Sequence, residues 1–204
     1  MPDNVCILDY GSGNVASVRN SLQRLGIESK VSNEIRDILD ASHLVLPGVG
    51  AFKASMEKIE KRLPLNDIRL QISSGKPFLG ICVGMQVLAE RGFEFGVHPG
   101  LNLLPGSEVI EFPSEIPRPH VGWNSIEILN EHPILRNIES GADFYFVHSY
   151  FLSKIDDVSK VAACDYGVNF PAVIAKDNLV GVQFHPEKSQ NNGDILLQNF
   201  FRMK

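Results

Sequence analysis

The sequence predicts an α/β fold: an open, largely parallel sheet of the flavodoxin-like kind, with helices on both faces and antiparallel strands added to it. Two observations carry this expectation. From residue 5 to residue 82, short apolar runs alternate with amphipathic stretches, which is the pattern of successive βα units. Beyond residue 91 the texture changes to shorter β-prone runs broken by prolines and turns, which suits antiparallel pieces. With 204 residues, 44% hydrophobic and 21% charged, the chain has the make-up of one domain, residues 1–204, with a substantial core.

Residues 5–9 form the first expected strand. Val15, Val18, Leu22 and Leu25 then recur at helical spacing, and Gly26 stops that helix before a short strand at 29–31. Asn33 is placed to cap a short helix reaching Leu39. A third strand at 43–46 leads into Pro47-Gly48-Val49-Gly50, followed by helical stretches at 51–62 and 65–73. The next apolar run ends at Cys82, and a helix is expected over 85–91. Residues 107–112 read as a strand. Pro113, Pro117 and Pro119 then keep the chain in an extended loop up to His120-Val121-Gly122-Trp123-Asn124, before a strand at 125–129. The run 144–151 is strongly β-prone. Strands at 172–176 and 179–184 flank Asp177-Asn178, a two-residue hairpin loop, and an amphipathic helix over 194–202 closes the chain.

Composition excludes several classes of function. A net charge of −5 with no Lys/Arg-rich run argues against a nucleic-acid surface. The start Met1-Pro2-Asp3-Asn4 has no basic region, and no apolar stretch has the length of a membrane span, so a cytoplasmic protein without membrane contact is expected. The three cysteines, Cys6, Cys82 and Cys164, are far apart and form no Cys-x-x-Cys pair, which points to neither disulfides nor zinc. Cys6 and Cys164 sit in apolar runs and read as core.

Cys82 differs because glycines flank it. Gly80-Ile81-Cys82-Val83-Gly84 is the thiol counterpart of the Gly-x-Ser-x-Gly elbow, where a strained strand-to-helix turn pushes the nucleophile out above the sheet. A helix N-terminus there favours thiolate over thiol. A cysteine nucleophile needs a base. His185 ends the apolar strand Val180-Gly181-Val182-Gln183-Phe184 and is followed by Pro186-Glu187, so an imidazole and a carboxylate to orient it lie two residues apart. Attack on a carboxamide builds charge on oxygen. The N–H of Val83 and a peptide of the 47–50 loop are the expected donors to it. Gly11-Ser12-Gly13-Asn14-Val15-Ala16 formally matches a dinucleotide-binding turn, with Glu34 near the distance of a ribose-binding acid, but a Gly-rich turn also serves many βα units sterically.

Taken together, Pro47-Gly48-Val49-Gly50, Gly80-Ile81-Cys82-Val83-Gly84-Met85-Gln86 and Phe184-His185-Pro186-Glu187-Lys188-Ser189 resemble the class I, triad-type glutamine amidotransferases. Three further stretches resemble the glutaminase subunits of imidazole glycerol phosphate synthases: Asp9-Tyr10-Gly11-Ser12-Gly13-Asn14, Pro119-His120-Val121-Gly122-Trp123-Asn124 and Tyr145-Phe146-Val147-His148-Ser149-Tyr150. The resemblance covers essentially the full length. It implies a triad of Cys82, His185 and Glu187, and an oxyanion hole at Gly50 and Val83. It further implies L-glutamine contacts from Gly48, Gln86, His148, Ser149 and Tyr150, with no metal or organic cofactor. Asn14 and Trp123 would face a (β/α)8-barrel cyclase/synthase subunit in a heterodimer of histidine biosynthesis, to which ammonia passes by a sheltered route. Family members often carry Leu where this chain has Val83, and a backbone donor is indifferent to that change. A related branch supplies ammonia to sugar amidotransferases of surface-polysaccharide synthesis. The stretches Glu94-Phe95-Gly96-Val97-His98-Pro99-Gly100 and Glu187-Lys188-Ser189-Gln190 are compatible with it.

Overall fold

A computed structural model describes residues 4–11, 14–157 and 159–203. The first half runs β1 (Val5–Leu8), α1 (Val15–Arg24), β2 (Ser29–Ser32), α2 (Ile35–Asp40), β3 (His43–Gly48), α3 (Phe52–Arg62), α4 (Leu65–Ser73), β4 (Phe78–Cys82) and the one-turn α5 (Val83–Gln86). After it come β5 (Ala89–Gly92), β6 (His98–Pro99), β7 (Leu104–Glu111), β8 (His120–Ser125), β9 (Glu127–Ile128), β10 (Asp143–His148), β11 (Tyr150–Ser153), β12 (Lys160–Asp165), β13 (Asn169–Lys176), β14 (Leu179–Val182) and α6 (Gln190–Phe200).

Among the described residues the main sheet has the order β2-β1-β3-β4-β14-β13-β12-β9. β2, β1, β3, β4 and β14 are mutually parallel, and β13, β12 and β9 each run antiparallel to the strand before. The step from β1 to β2 goes one way and the steps to β3 and β4 go the other. Right-handed crossovers therefore put α1 on one face and α2 and α4 on the opposite one, where α2 and α4 touch. β4, packed between two parallel neighbours, is buried at every position, which is why its sequence is an unbroken apolar run. The expected α/β architecture is the one observed.

Four local expectations differ. The chain over 85–91 is not a helix: α5 ends at Gln86 and β5 begins at Ala89. Val87, Leu88 and Ala89 are consecutive and fully buried, a pattern no single helical face provides, and Arg91 pairs with Glu108 on β7 across the strand. The strand expected at 125–129 begins earlier, at His120, because β8 pairs with β10 along its whole length. The run 144–151 breaks at Ser149 into two strands of different sheets, β10 pairing with β8 and β11 with β7. Finally, α6 starts four residues earlier than expected and carries Gly193 in its first turn. A Cβ there would overlap the carbonyl of Pro186, so this glycine lets the helix pack onto the 186–188 turn. Asp177, with φ 54°, makes the tight turn between β13 and β14. Met1, Pro2 and Asp3 of the amino-terminal motif, and Ser12 and Gly13 of the Gly-rich loop, lie outside the described residues. No helix among the described residues is long and apolar enough to cross a membrane.

Candidate active site

The site grows from the end of β4. Cys82 adopts φ 54° and ψ −113°, a conformation that L residues avoid, and α5 starts at the next residue. Two glycines make the turn possible. A Cβ on Gly80 would lie 2.5 Å from the carbonyl oxygen of Gly84, and one on Gly84 would overlap the carbonyl of Leu46 on β3. Gly48 belongs to the same packing: a Cβ there would stand 2.6 Å from the Gly84 nitrogen and 2.7 Å from the Tyr10 hydroxyl. Gly84→Ala is thus expected to cost more than about 3 kcal/mol, since backbone must move against backbone; a thermal melt against wild type measures it.

β14 runs parallel to β4, with Val182 opposite Ile81, so the chain after β14 emerges beside Cys82. His185 is held there through its backbone: its N–H donates to Tyr145 O at 2.9 Å, and its carbonyl accepts from Ser189 Oγ at 2.7 Å. The imidazole is fully buried, and Nδ1 lies 2.8 Å from Glu187 Oε1. Burial alone would lower the imidazole's pKa. The adjacent Cys82 sulfur and Glu187 carboxylate outweigh it and raise it from 6.5 to about 10. Glu187 is shifted downward: burial opposes ionisation, but hydrogen bonding from His185, its charge and Asn14 prevail. With Nδ1 committed to Glu187, Nε2 is the atom left for the sulfur. It has no hydrogen-bond partner among the described residues, although the sulfur is near enough for its charge to act on the ring.

Asn14 reaches the triad. It is 5% exposed, and its Nδ2 donates to Glu187 Oε1 at 2.5 Å and lies 3.3 Å from His185 Nδ1. It stands at the N-cap of α1 without capping it, because its amide serves the carboxylate. The Gly-rich loop thus ends in a residue whose side-chain amide is turned inward onto the acid.

Cys82 and His185 open onto a cavity of about 500 Å³, also lined by Gly50, Val83, Gln86, His148, Ser149 and Tyr150. Gly48 is not on its wall; it is buried beneath the elbow. Gly50, with φ +98°, is exposed at the wall, where its peptide can turn without a side chain. Sequence reasoning left the cavity roles of Glu94, Phe95, Glu111 and Pro119 unassigned. They reach the wall from three segments, at 94–95, 111 and 119, and the motif stretches that contain Glu94, Phe95 and Pro119 do not by themselves show that these side chains meet there.

The hydrogen bonds of His148 fix its state. Its Nδ1 lies 2.9 Å from Tyr150 O, which only accepts, so Nδ1 carries the proton. Nε2 therefore accepts from His120 Nδ1 at 3.2 Å, and His120 Nε2 accepts from Asn124 Nδ2 at 3.3 Å. His120 is stacked between Phe146 and Tyr166. Burial pushes His148 down to about 3 and His120 down to about 4, which keeps both neutral. Both ring nitrogens of His148 are spent within the protein, so any ligand meets its ring, not a donor or acceptor nitrogen.

The other cysteines are buried free thiols, raised by burial to about 11 for Cys6 and about 12 for Cys164. Both are core, as expected. Trp123 is 48% exposed on β8, edge-on to Tyr145, and Lys188 Nζ lies 5.7 Å from the Tyr145 ring centre. This surface adjoins the triad, because the Tyr145 carbonyl holds His185 in place.

A thiol on a glycine-framed elbow, with a buried imidazole and carboxylate beside it, can attack a carbonyl carbon and hold an acyl group as a thioester. The chain belongs to the class-I glutamine amidotransferase family, whose model matches residues 6–203. Among curated proteins it is 44% identical to the imidazole glycerol phosphate synthase subunit HisH of Geobacter sulfurreducens, over 98% of this chain and 99% of that one. It is 45% identical to the subunit of the same name from Rhodopirellula baltica (96% of each chain) and 46% identical to that from Aquifex aeolicus (96% and 95%). Among solved structures, "Structure of PurLQS from Thermotoga maritima" matches with a TM-score of 0.76 at 20% identity, over 98% of each chain. "Crystal structure of glutamine amidotransferase" matches with 0.76 at 18%, over 98% and 97%. These two share the fold.

Proposed function

We infer that this chain is the glutaminase subunit of an imidazole glycerol phosphate synthase, a single amidotransferase domain that hydrolyses L-glutamine and passes ammonia to a synthase partner. The observation that carries the chemistry is the buried Cys82–His185–Glu187 line opening onto one cavity. The pathway is supported by relatives near 45% identity that carry that subunit's name along nearly their whole length.

The Cys82 thiolate attacks the side-chain carbonyl carbon of glutamine, and the oxyanion is met by the N–H groups of Val83 and Gly50. His185, held as imidazolium by Glu187, gives its proton to the departing amide nitrogen, and ammonia leaves a γ-glutamyl thioester. His185 then takes a proton from water, hydroxide adds to the thioester, and the C–S bond breaks to release glutamate and restore the thiolate. Gln86, Ser149 and Tyr150 orient the substrate, with His148 as an apolar wall. The partner is a (β/α)8-barrel synthase that docks over Trp123, on the face that also carries Tyr145 and Lys188.

Expression in a histidine auxotroph that lacks its glutaminase subunit tests the pathway: growth on ammonia-poor medium is expected. Failure to grow, with a sugar amidotransferase copurifying, would assign the chain to the polysaccharide branch. In vitro, ammonia release is expected to rise at least about tenfold when the synthase and its ligand are added, in line with coupling energies of 1–3 kcal/mol.

A further inference from the structure

We propose that Gln183 is a further catalytic residue, the amide N–H donor that faces the Cys82 sulfur. Its Nε2 lies 3.8 Å from Sγ, within reach of a hydrogen bond to sulfur, and the residue has no exposed surface, so no water competes for the contact. The orientation of the amide is dictated from outside. Tyr150 O only accepts, so the group 2.7 Å from it on Gln86 must be Nε2. The same Nε2 reaches Gln183 Oε1 at 3.1 Å, which leaves the Gln183 NH2 pointing at the sulfur. The backbone is pinned as well, with Gln183 N donating to Ala172 O at 2.9 Å. Gln183 and His185 stand two residues apart in the bend that follows β14, the strand paired with the Cys82 strand, and that bend brings both to the sulfur.

The sulfur thus has two opposed neighbours. Val147 O, at 4.0 Å, accepts and favours the thiol; the Gln183 amide donates and favours the thiolate. The charged and titratable groups around it are His185 with Glu187 behind it, and across the cavity Glu94, Glu111, Tyr150 and the neutral His148. When the sulfur becomes a thioester it loses its charge and the amide loses its partner. The same bond re-forms as water attacks and the sulfur departs with the electron pair, so Gln183 assists both the attack and the second half of turnover. Gln86 joins this donor to the substrate cavity, since it orients Gln183 and lines the wall itself.

The inference rests on Cys82 being the nucleophile, and the test separates the two. The rate of Cys82 alkylation by iodoacetamide is followed against pH by intact mass for wild type, Gln183→Met, which removes the donor at similar volume, and Gln183→Glu, which sets a carboxylate against the thiolate. In Gln183→Met the midpoint is expected to move to higher pH, with the rate below it falling roughly threefold to tenfold, the size of one net hydrogen bond. In Gln183→Glu the shift is expected to be larger. Glutaminase kcat should fall in both, with the KM for glutamine changing less than about twofold. Midpoints that coincide with wild type in the variants would overturn the role of Gln183, and either variant alone decides the matter if the other does not fold. Wild type that is not labelled at Cys82 in preference to Cys6 and Cys164 would instead overturn the nucleophile.

Discussion

Replacing Cys82 with alanine is expected to lower glutamine hydrolysis by at least about 10⁴-fold, because no other group near His185 can form the thioester. An assay of ammonia release reads the loss, and retention of more than about 1% of activity would remove Cys82 from the chemistry. Stability should move the opposite way in a companion variant. Cys82 sits at φ 54° and ψ −113°, a region natural to glycine, so Cys82→Gly is expected to be inactive yet more stable than wild type by about 1–3 kcal/mol. At the elbow the strain falls on the residue that does the work, and the glycines at 80 and 84 are what make room for it.

Glu187→Gln is the second large expectation, a loss of roughly 10²–10⁴-fold in glutaminase activity with the fold retained. The amide keeps the shape but not the charge that helps hold His185 up at about 10, so the imidazole is expected to lose its proton at lower pH. The signs for stability follow from the two shifts. His185 is raised, so its contribution is complete below its ordinary 6.5 and is lost as pH climbs through about 10. Glu187 is lowered, so its contribution is complete above its ordinary 4.5 and is lost as pH falls below that value. The difference in melting temperature between wild type and Glu187→Gln should therefore be widest between about 4.5 and 6.5 and shrink toward pH 10. A flat difference across that range would contradict a buried ion pair.

Much of this site was legible locally. The elbow is written within five residues, since only glycine fits at 80 and 84, and the His-Pro-Glu end of an apolar strand places a base with its carboxylate. What stayed hidden depends on contacts far apart in the chain. The stretch 85–91 has helical composition, but its partners on β7 made part of it strand. The break at Ser149 follows from pairing with two different sheets, which no local period reports. Asn14 lies 173 residues from the carboxylate it serves, and Gly48 is small because the elbow presses on it. Gln183 did leave a trace: a polar residue inside an apolar run, two positions before the histidine. Buried amides in such a place are held by something, and here that is Gln86.

The pair formed by His120 and His148 has a consequence for how the enzyme answers acidity. Imidazoles beside an active cysteine would ordinarily blur its response, each adding a charge change near neutrality. These two have every nitrogen occupied in one direction, from Asn124 inward to the Tyr150 carbonyl, and take up no second proton above about pH 4. Neither ring adds a positive charge to that side of the cavity. Of the imidazoles that the described residues place on the cavity wall, His185 is the one still free to change charge near neutral pH and above, so a pH profile of this enzyme in that range reads the Cys82–His185 pair without a background from the other ring.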